Sequence, residues 1–212
     1  MTRNNSMLKH LLFGFLLLGL WSLSGCKSKT SKTSIQVQNE VIQKTGDVIF
    51  GDNAAPNTVF LFASYNCDYC RYFFSRTYPG LKTNYLDKGK IKLVVKWLDF
   101  EENPQVLQSL QAASCIGQFG VYEKFHELLL VNPAVVFTDD FSALLDDIMQ
   151  DNSEIAECIL QNNEYEYLRL NVSEFRENKF TGTPTFVLNK NAYSGFISFI
   201  NFEKLLAKEF NL

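Results

Sequence analysis

The sequence predicts an α/β fold with a helical insertion, and three patterns support this fold class. Short apolar runs have the length and composition of buried strands, and they lie at residues 59–63, 91–98, 185–188 and 192–198. Between the second and third runs, apolar residues recur at helical spacing from Asn103 to about Tyr165. A last helical pattern runs from Phe202 to Phe210. Strands on both sides of a helical stretch indicate one α/β domain interrupted by helices.

Composition and charge exclude several classes of protein. Of the 212 residues, 46% are apolar and only 5 are proline, which excludes a disordered or low-complexity chain. The 20 basic and 23 acidic residues give a net charge of −3 and are scattered along the chain. Nucleic acid is not expected as a partner, because binding to its phosphates requires a clustered basic surface.

The first 25 residues are predicted to be a signal peptide of the lipoprotein type. Arg3 and Lys9 precede an apolar run, Leu11 to Leu23, that is too short to span a bilayer but is typical of a signal-peptide core. The chain continues as Ser24-Gly25-Cys26, which together with Leu23 resembles a bacterial lipobox. We therefore expect residues 1–25 to be removed and Cys26 to carry lipid.

An uncleaved anchor followed by an ordinary cysteine is the alternative interpretation of this segment. Both interpretations place the domain in the cell envelope, held to a membrane and facing the periplasm. Residues 26–45 are predicted to be the lipidated cysteine and a flexible tether, because the chain from Lys27 to Ser34 contains only Lys, Ser and Thr.

Cys67 and Cys70 form a Cys-x-x-Cys motif with Asp68 and Tyr69 between them. The motif follows the apolar run at 59–63 and precedes an aromatic segment, so we expect a buried strand that turns into a helix. A cysteine at a helix start faces free backbone N–H groups, which stabilise its thiolate. Cys67 is thus the predicted exchanging sulfur and Cys70 the resolving one.

Two other roles for this cysteine pair remain open. A zinc site needs four ligands, but the chain after residue 26 has no second Cys-x-x-Cys and a single histidine, His126. A purely structural disulfide would close a very short loop and gain little chain entropy. We expect no metal and no cofactor beyond a redox-active Cys67–Cys70 disulfide.

A second motif is Thr183-Pro184 before the apolar run at 185–188. Together with the Cys-x-x-Cys motif and the helices between them, it resembles the thioredoxin-like thiol-disulfide oxidoreductases of the DsbA family, over roughly residues 46–210. The resemblance implies a thioredoxin-like domain formed by residues 46–102 and 166–212, with residues 103–165 as the helical insertion.

The resemblance also implies a cis Thr183–Pro184 bond beside Cys67, with the backbone of Thr183 free to position an extended substrate. An ordinary trans proline at the start of an edge strand is the alternative. In the same family, the substrates are thiols of exported proteins, and a membrane-bound, quinone-linked oxidase reoxidises the enzyme. The expected activity is therefore disulfide exchange, most simply oxidation. A reductase or isomerase, or a non-enzymatic thioredoxin-like chaperone or binding module, remains possible.

Charges near the motif affect how oxidising the pair is expected to be. An anionic Asp68 should raise the pKa of Cys67 relative to a histidine at that position, which predicts a moderately oxidising pair. The family often has a buried acid six positions before the first cysteine, where this chain has Leu61. That acid serves in proton transfer, and Lys96, in the apolar run at 91–98, is the one nearby charge that we can nominate for this role.

Cys115 and Cys158 both lie in the predicted insertion. Two buried thiols are possible, but an exported protein favours a structural disulfide between them. His126, on an amphipathic helix, is predicted to be a packing or surface residue.

Overall fold

A computed structural model of the protein describes residues 34–120, 122–161 and 165–212. The predicted signal peptide, Cys26 and the first part of the predicted tether lie outside the described residues.

The described strands form a mixed six-stranded sheet with the order β1-β6-β5-β3-β4-β2. Their bounds are β1 (Ile35–Gln36), β2 (Val48–Phe50), β3 (Asn57–Ala63), β4 (Ile91–Trp97), β5 (Thr185–Leu188) and β6 (Asn191–Ser194). The central pair, β3 and β4, is parallel, and the other four pairs are antiparallel. The predicted α/β class is confirmed, with the Cys-x-x-Cys strand β3 in the middle of the sheet.

Helices cover both faces of this sheet. Their bounds are α1 (Asp68–Tyr72), α2 (Tyr78–Leu81), α3 (Pro104–Phe119), α4 (Tyr122–Val131), α5 (Asp139–Asp151), α6 (Ser153–Gln161), α7 (Glu166–Glu177) and α8 (Phe199–Phe210). The π-helical segment Phe73–Thr77 joins α1 to α2, and the π-helical segment Lys82–Leu86 extends α2, so that all four form one helical rod. Pro133–Phe137 is a 3₁₀ turn. Proline interrupts a regular α-helical ladder because it has no N–H, and Pro79 lies in the middle of this rod.

Successive side chains of β3 point into two different apolar cores, one on each face of the sheet. Val59 and Leu61 belong to the larger core, which includes Cys70 and the inward faces of the insertion helices. Phe62 belongs to a smaller core on the other face, which includes Phe175 from α7. Because successive strand residues point to opposite faces, the residue that ends β3 is held by packing from both sides.

The structure corrects the predicted tether at its C-terminal end. Ile35 and Gln36 pair with β6, and Val41 is buried in the smaller core. The backbone N–H of Asn39 donates to the Asn178 side chain at 2.8 Å. Residues 34–45 are therefore part of the folded domain. The mixed apolar and polar pattern of this short edge strand was too weak to identify it by periodicity.

The last strand is shorter than the sequence predicts. The apolar run at 192–198 was expected to be a strand, but β6 ends at Ser194. Gly195 has a φ of 80°, which favours glycine, and its N–H donates to the Pro184 carbonyl oxygen at 2.7 Å. The chain leaves the sheet there, and Ile197 is buried instead beneath the helical rod.

Helix α7 was not predicted from the sequence, and it brings one of two carboxylates to a buried lysine. Lys96 Nζ lies 2.8 Å from Asp47 Oδ2 and 3.1 Å from Glu174 Oε2 of α7, and the Lys96 and Asp47 side chains are fully buried. Burial raises the pKa of Asp47, and the Lys96 ammonium opposes that rise. The cluster joins β4, the segment before β2 and α7 by charge.

The insertion is cross-linked by a disulfide. Cys115 of α3 and Cys158 of α6 are bonded, with their Cα atoms 5.8 Å apart and 43 positions between them in the chain. Gln111 Nε2 donates to the Cys115 sulfur at 3.3 Å. The bond ties the last helix of the insertion to its first.

Removal of the buried lysine should be costly. We expect Lys96→Met to lower the free energy of unfolding by about 3–5 kcal/mol, because it leaves the fully buried Asp47 carboxylate without a cation, whereas Glu174 keeps its ion pair with Lys44. Denaturant unfolding at pH 7 measures this. Lys82→Met is the matched control, because Lys82 pairs with Asp87 at the surface, where such a pair contributes at most about 1 kcal/mol. Equal losses in the two variants would contradict the role assigned to Lys96.

Candidate redox site

Cys67 is the N-cap residue of α1. Its backbone is extended, with φ −96° and ψ 115°, and its Sγ accepts a hydrogen bond from the Cys70 backbone N–H at 3.3 Å. Its carbonyl oxygen accepts from the N–H groups of Cys70 and Arg71 at 3.0 and 3.1 Å. The sulfur thus lies where the free N–H groups of a helix start are directed, as the sequence predicts.

The two sulfurs differ in exposure. Both cysteines are free thiols in this structure, with Cys67 half-buried and Cys70 fully buried in the larger core. A substrate sulfur can therefore reach Cys67 but not Cys70. This difference is what separate exchanging and resolving roles require.

The same difference moves the two pKa values apart. The pKa of Cys67 is lowered from 9.0 to about 6, and the largest cause is a hydrogen bond from the Cys70 thiol. Partial burial of Cys67 opposes this shift, whereas contacts with Thr183 and with the backbone of Tyr69 lower the pKa further. Burial raises the pKa of Cys70 well above its usual range. At neutral pH Cys67 is therefore mainly a thiolate and Cys70 a thiol, which donates to it.

The Thr183–Pro184 peptide bond is cis, and it lies against this sulfur. Cys67 Sγ lies 3.2 Å from the Thr183 carbonyl oxygen, to which the sulfur can donate only in its thiol form. Pro184 is buried, and the Thr185 hydroxyl donates to the Gly182 carbonyl oxygen at 2.6 Å, which fixes the loop from both sides. The structure thus brings residues 116 positions apart into contact at one site.

Asp68 and Tyr69 are exposed at the start of α1. The Asp68 carboxylate forms an ion pair with the Arg71 guanidinium one turn along the helix, so a cation offsets its charge. The net effect of the surroundings is to lower the pKa of Cys67. The Tyr69 side chain is 59% exposed and contacts the ring of Tyr72 edge-on.

Leu61, at the position of the family's buried acid, and Lys96, nominated in its place, both lie outside the cysteine site. Leu61 is packed in the larger core. Lys96 is bound by Asp47 and Glu174 beside α7, whereas Cys70 packs with the core on the other face of the sheet. The nomination of Lys96 as a charge of the cysteine site is therefore wrong. Sequence alone could not show this, because its carboxylate partners lie 49 and 78 positions away in the chain.

A buried polar network next to the site was missed by the sequence prediction. The Tyr65 hydroxyl lies 2.8 Å from the Tyr122 hydroxyl and 3.0 Å from His126 Nδ1. The Trp97 indole N–H donates to the Tyr122 hydroxyl at 3.1 Å. His126 is a packing residue, as expected, but it also contacts Tyr65 of the loop that joins β3 to α1, residues 64–67, which we call the catalytic loop. The signal in the sequence was the four-residue spacing of Tyr122 and His126, which places both on one helix face.

Among the described residues, no group of three or more His, Cys, Asp or Glu side chains could hold a metal ion. No helix in the described ranges is long and apolar enough to cross a membrane.

A helix-capping Cys-x-x-Cys motif that faces a cis-proline loop, on a mixed sheet with a helical insertion, defines a DsbA-like protein of thioredoxin fold. The comparison with protein families agrees. A family model described as thioredoxin matches residues 43–208, so the chain belongs to the thioredoxin family.

Similar curated proteins come from rickettsiae. A Rickettsia typhi protein named provisionally as a protein-disulfide oxidoreductase is 27% identical over 166 residues, which are 76% of this chain and 58% of that protein. A protein of the same name from Rickettsia felis is 29% identical over 150 residues, 68% of this chain and 53% of its own length. The chain thus spans little more than half the length of these relatives.

Solved structures share the fold. BdbD from Bacillus subtilis superposes with a TM-score of 0.62 at 17% identity, covering 85% of this chain and 99% of BdbD. The α-DsbA1 protein of Wolbachia pipientis gives a TM-score of 0.58 at 18% identity, covering 81% of this chain and 94% of its own. The predicted thioredoxin-like fold with a helical insertion is therefore confirmed.

The lowered pKa of Cys67 gives a first test of the site. In the reduced full-length protein, the rate of Cys67 carbamidomethylation by iodoacetamide should rise with a midpoint near pH 6. Mass spectrometry of the peptide that contains both cysteines measures it. In Cys70→Ala the midpoint should move up, because the largest stabilising hydrogen bond is lost. A wild-type midpoint at pH 8.5 or above would contradict the described geometry.

The buried histidine gives a second test. Burial lowers the pKa of His126 from 6.5 to about 3, so below pH 6.5 the unfolded chain binds a proton that the folded state does not. The stability contribution is present above pH 6.5 and is lost as the pH falls towards 3, at up to about 1.4 kcal/mol per pH unit.

Urea unfolding between pH 7 and pH 4.5 measures this dependence. His126→Phe removes the histidine and keeps the carboxylates, so its stability should fall less steeply with acid than that of the wild type. Parallel curves for the two proteins would show that His126 is not held neutral by burial.

Proposed function

We propose that this protein is a thiol-disulfide oxidoreductase that acts on exported proteins through Cys67 and Cys70. The observation that carries the proposal is the asymmetry of the pair: an accessible sulfur with a pKa lowered to about 6 beside a buried sulfur that stays protonated. The provisional names of the rickettsial relatives support the same class of activity.

Each step of the proposed exchange is assigned to one sulfur. In the oxidised protein, a substrate thiolate attacks Cys67 Sγ, the Cys67–Cys70 bond breaks, and the Cys70 sulfur takes up a proton. A second substrate thiolate then attacks the substrate sulfur of the mixed disulfide and releases Cys67 as a thiolate. The substrate loses two electrons and gains a disulfide, and the protein gains those two electrons as a dithiol.

Oxidation is the proposed direction. A hydrogen-bonded Cys67 thiolate stabilises the reduced protein, and a stabilised dithiol makes the corresponding disulfide a stronger oxidant. The reduced protein would then need an external acceptor of two electrons. We propose a membrane-bound, quinone-linked oxidase in that role.

Substrate contacts are proposed at the cis-proline loop and the start of α1. The backbone of Thr183 lies beside the exchanging sulfur, where an extended segment of substrate would meet it. The exposed rings of Tyr69 and Tyr72 add an apolar surface next to Cys67. Such a surface suits an unfolded chain whose cysteines are still reduced.

The proposed location is the cell envelope. Residues 1–25 have the pattern of a signal peptide, and Cys26 follows a lipobox-like sequence, so we propose a lipid anchor that holds the domain on the periplasmic side of a membrane. Three lysines between Cys26 and Thr33 could add attraction to anionic headgroups.

The reduction potential of the Cys67/Cys70 pair tests this proposal. Full-length protein equilibrated with glutathione mixtures and trapped with acid should give a value between about −120 and −180 mV. A value near about −270 mV would favour the reductase alternative. Failure of the pair to equilibrate at all would leave only a binding module. A Cys67→Ser/Cys70→Ser variant, which keeps the Cys115–Cys158 bond, shows whether that second disulfide contributes to the signal.

A further inference from the structure

Three side chains that the exchange mechanism does not use contact Tyr65 of the catalytic loop, and they are Trp97, Tyr122 and His126. Tyr65, two residues before Cys67, stacks on Trp97 with ring centroids 4.0 Å apart and planes 17° apart. Its hydroxyl meets Tyr122 and His126, which both belong to α4 of the insertion. The insertion therefore contacts the loop that carries the reactive sulfur.

The Trp97 indole sets one direction within this network. It can only donate, so the Tyr122 oxygen accepts from it. The other contacts join the Tyr122 and Tyr65 oxygens, at 2.8 Å, and each of these oxygens to His126 Nδ1, at 3.5 and 3.0 Å. In the arrangement that uses the two shorter contacts, the Tyr122 hydroxyl donates to the Tyr65 oxygen and the Tyr65 hydroxyl donates to His126 Nδ1, whose neutral ring then has its proton on Nε2. The reverse directions fit the same distances.

Burial keeps the His126 ring neutral in this place. Its side chain is buried among aromatic rings, with the Phe74 ring centroid 4.4 Å away, and Nε2 has no hydrogen-bond partner among the described residues. An imidazolium could not accept the Tyr65 proton at Nδ1. Burial, which disfavours the charged form, therefore keeps the acceptor available at neutral pH.

Backbone groups of Ser64 and Tyr65 form hydrogen bonds with the cysteines and with α1. The Ser64 carbonyl oxygen accepts the Cys67 N–H at 3.2 Å, and a hydrogen bond from the Ser64 backbone also reaches the Cys70 sulfur. The Tyr65 carbonyl oxygen accepts Arg71 Nη1 of α1 at 3.0 Å. A shift of the Tyr65 ring would therefore move the backbone groups that set the position of Cys67 at the helix start.

We propose that Tyr122 and His126 are positioning residues of the redox site, which act on Cys67 through the Tyr65 hydroxyl. The helical insertion then has a role in the chemistry of the site as well as in its shape. This inference rests on the proposed oxidoreductase function, because its consequence is a change in the redox properties of the Cys67/Cys70 pair.

The test uses full-length protein with Tyr122→Phe, His126→Phe and Tyr65→Phe. Each change keeps an aromatic ring and removes one or more bonds of the network. We expect each to raise the midpoint of the Cys67 alkylation profile by about half a pH unit. The equilibrium constant for reduction by glutathione should fall about threefold, which converts to about 15 mV.

Tyr167→Phe is the matched control. It removes a hydroxyl on α7 that donates to the Leu110 carbonyl oxygen of α3, in the insertion, at 2.7 Å and that forms none of the hydrogen bonds of the network. Its loss of stability should be similar to that of the three network variants, while its alkylation midpoint and its equilibrium with glutathione should match those of the wild type.

Combined variants show whether the effect passes through Tyr65. In a Tyr65→Phe background, adding Tyr122→Phe or His126→Phe should cause no further shift of the midpoint. Additive shifts, or shifts no larger than that of Tyr167→Phe, would overturn the inference. If the wild-type pair itself fails to equilibrate with glutathione, the proposed function fails, and that outcome is distinct from an unchanged variant.

Discussion

The hydrogen bonds to Cys67 Sγ are the interaction on which the rest of the site depends. Cys67 caps α1, so its sulfur faces the Cys70 N–H at 3.3 Å, and the buried Cys70 thiol donates to it as well. These donors hold the pKa of Cys67 near 6 even though partial burial opposes ionisation. Without them, Cys67 would be an ordinary thiol beside a proline, and neither a preferred nucleophile nor a preferred direction of exchange would follow.

The fold holds this sulfur in place from three sides. The central strand β3 is buried on both faces and delivers the chain to the catalytic loop. The β5 strand starts at the cis-proline loop, whose Thr183 carbonyl oxygen contacts the sulfur. The insertion, closed by the Cys115–Cys158 disulfide, reaches the loop through α4. The thioredoxin-like sheet and the helical insertion therefore meet at the residues that come immediately before Cys67.

Local patterns in the sequence were enough to predict the strand–helix junction at Cys67, the central strands and the helical insertion, because each has a strong apolar period. Contacts between distant segments were not predictable in this way. The strand Ile35–Gln36 is two residues long and pairs with β6, and helix α7 is mostly polar. The partners of Lys96 lie in α7 and in the segment before β2. His126 was correctly expected to pack, but its hydrogen bond to Tyr65 spans 61 positions. Local periodicity carries no information on such pairings.

The hydrogen-bonded Cys67 thiolate should stabilise the dithiol form of the protein. The most direct measurement is the free energy of unfolding of the dithiol and disulfide forms of the same protein, by urea at pH 7. A stabilised thiolate requires the dithiol form to be the more stable of the two, with a difference that shrinks as the pH falls through 6 and Cys67 becomes protonated. A disulfide form that is more stable at pH 7, as in a protein with an ordinary structural disulfide, would show that the Cys67 thiolate does not stabilise the dithiol form.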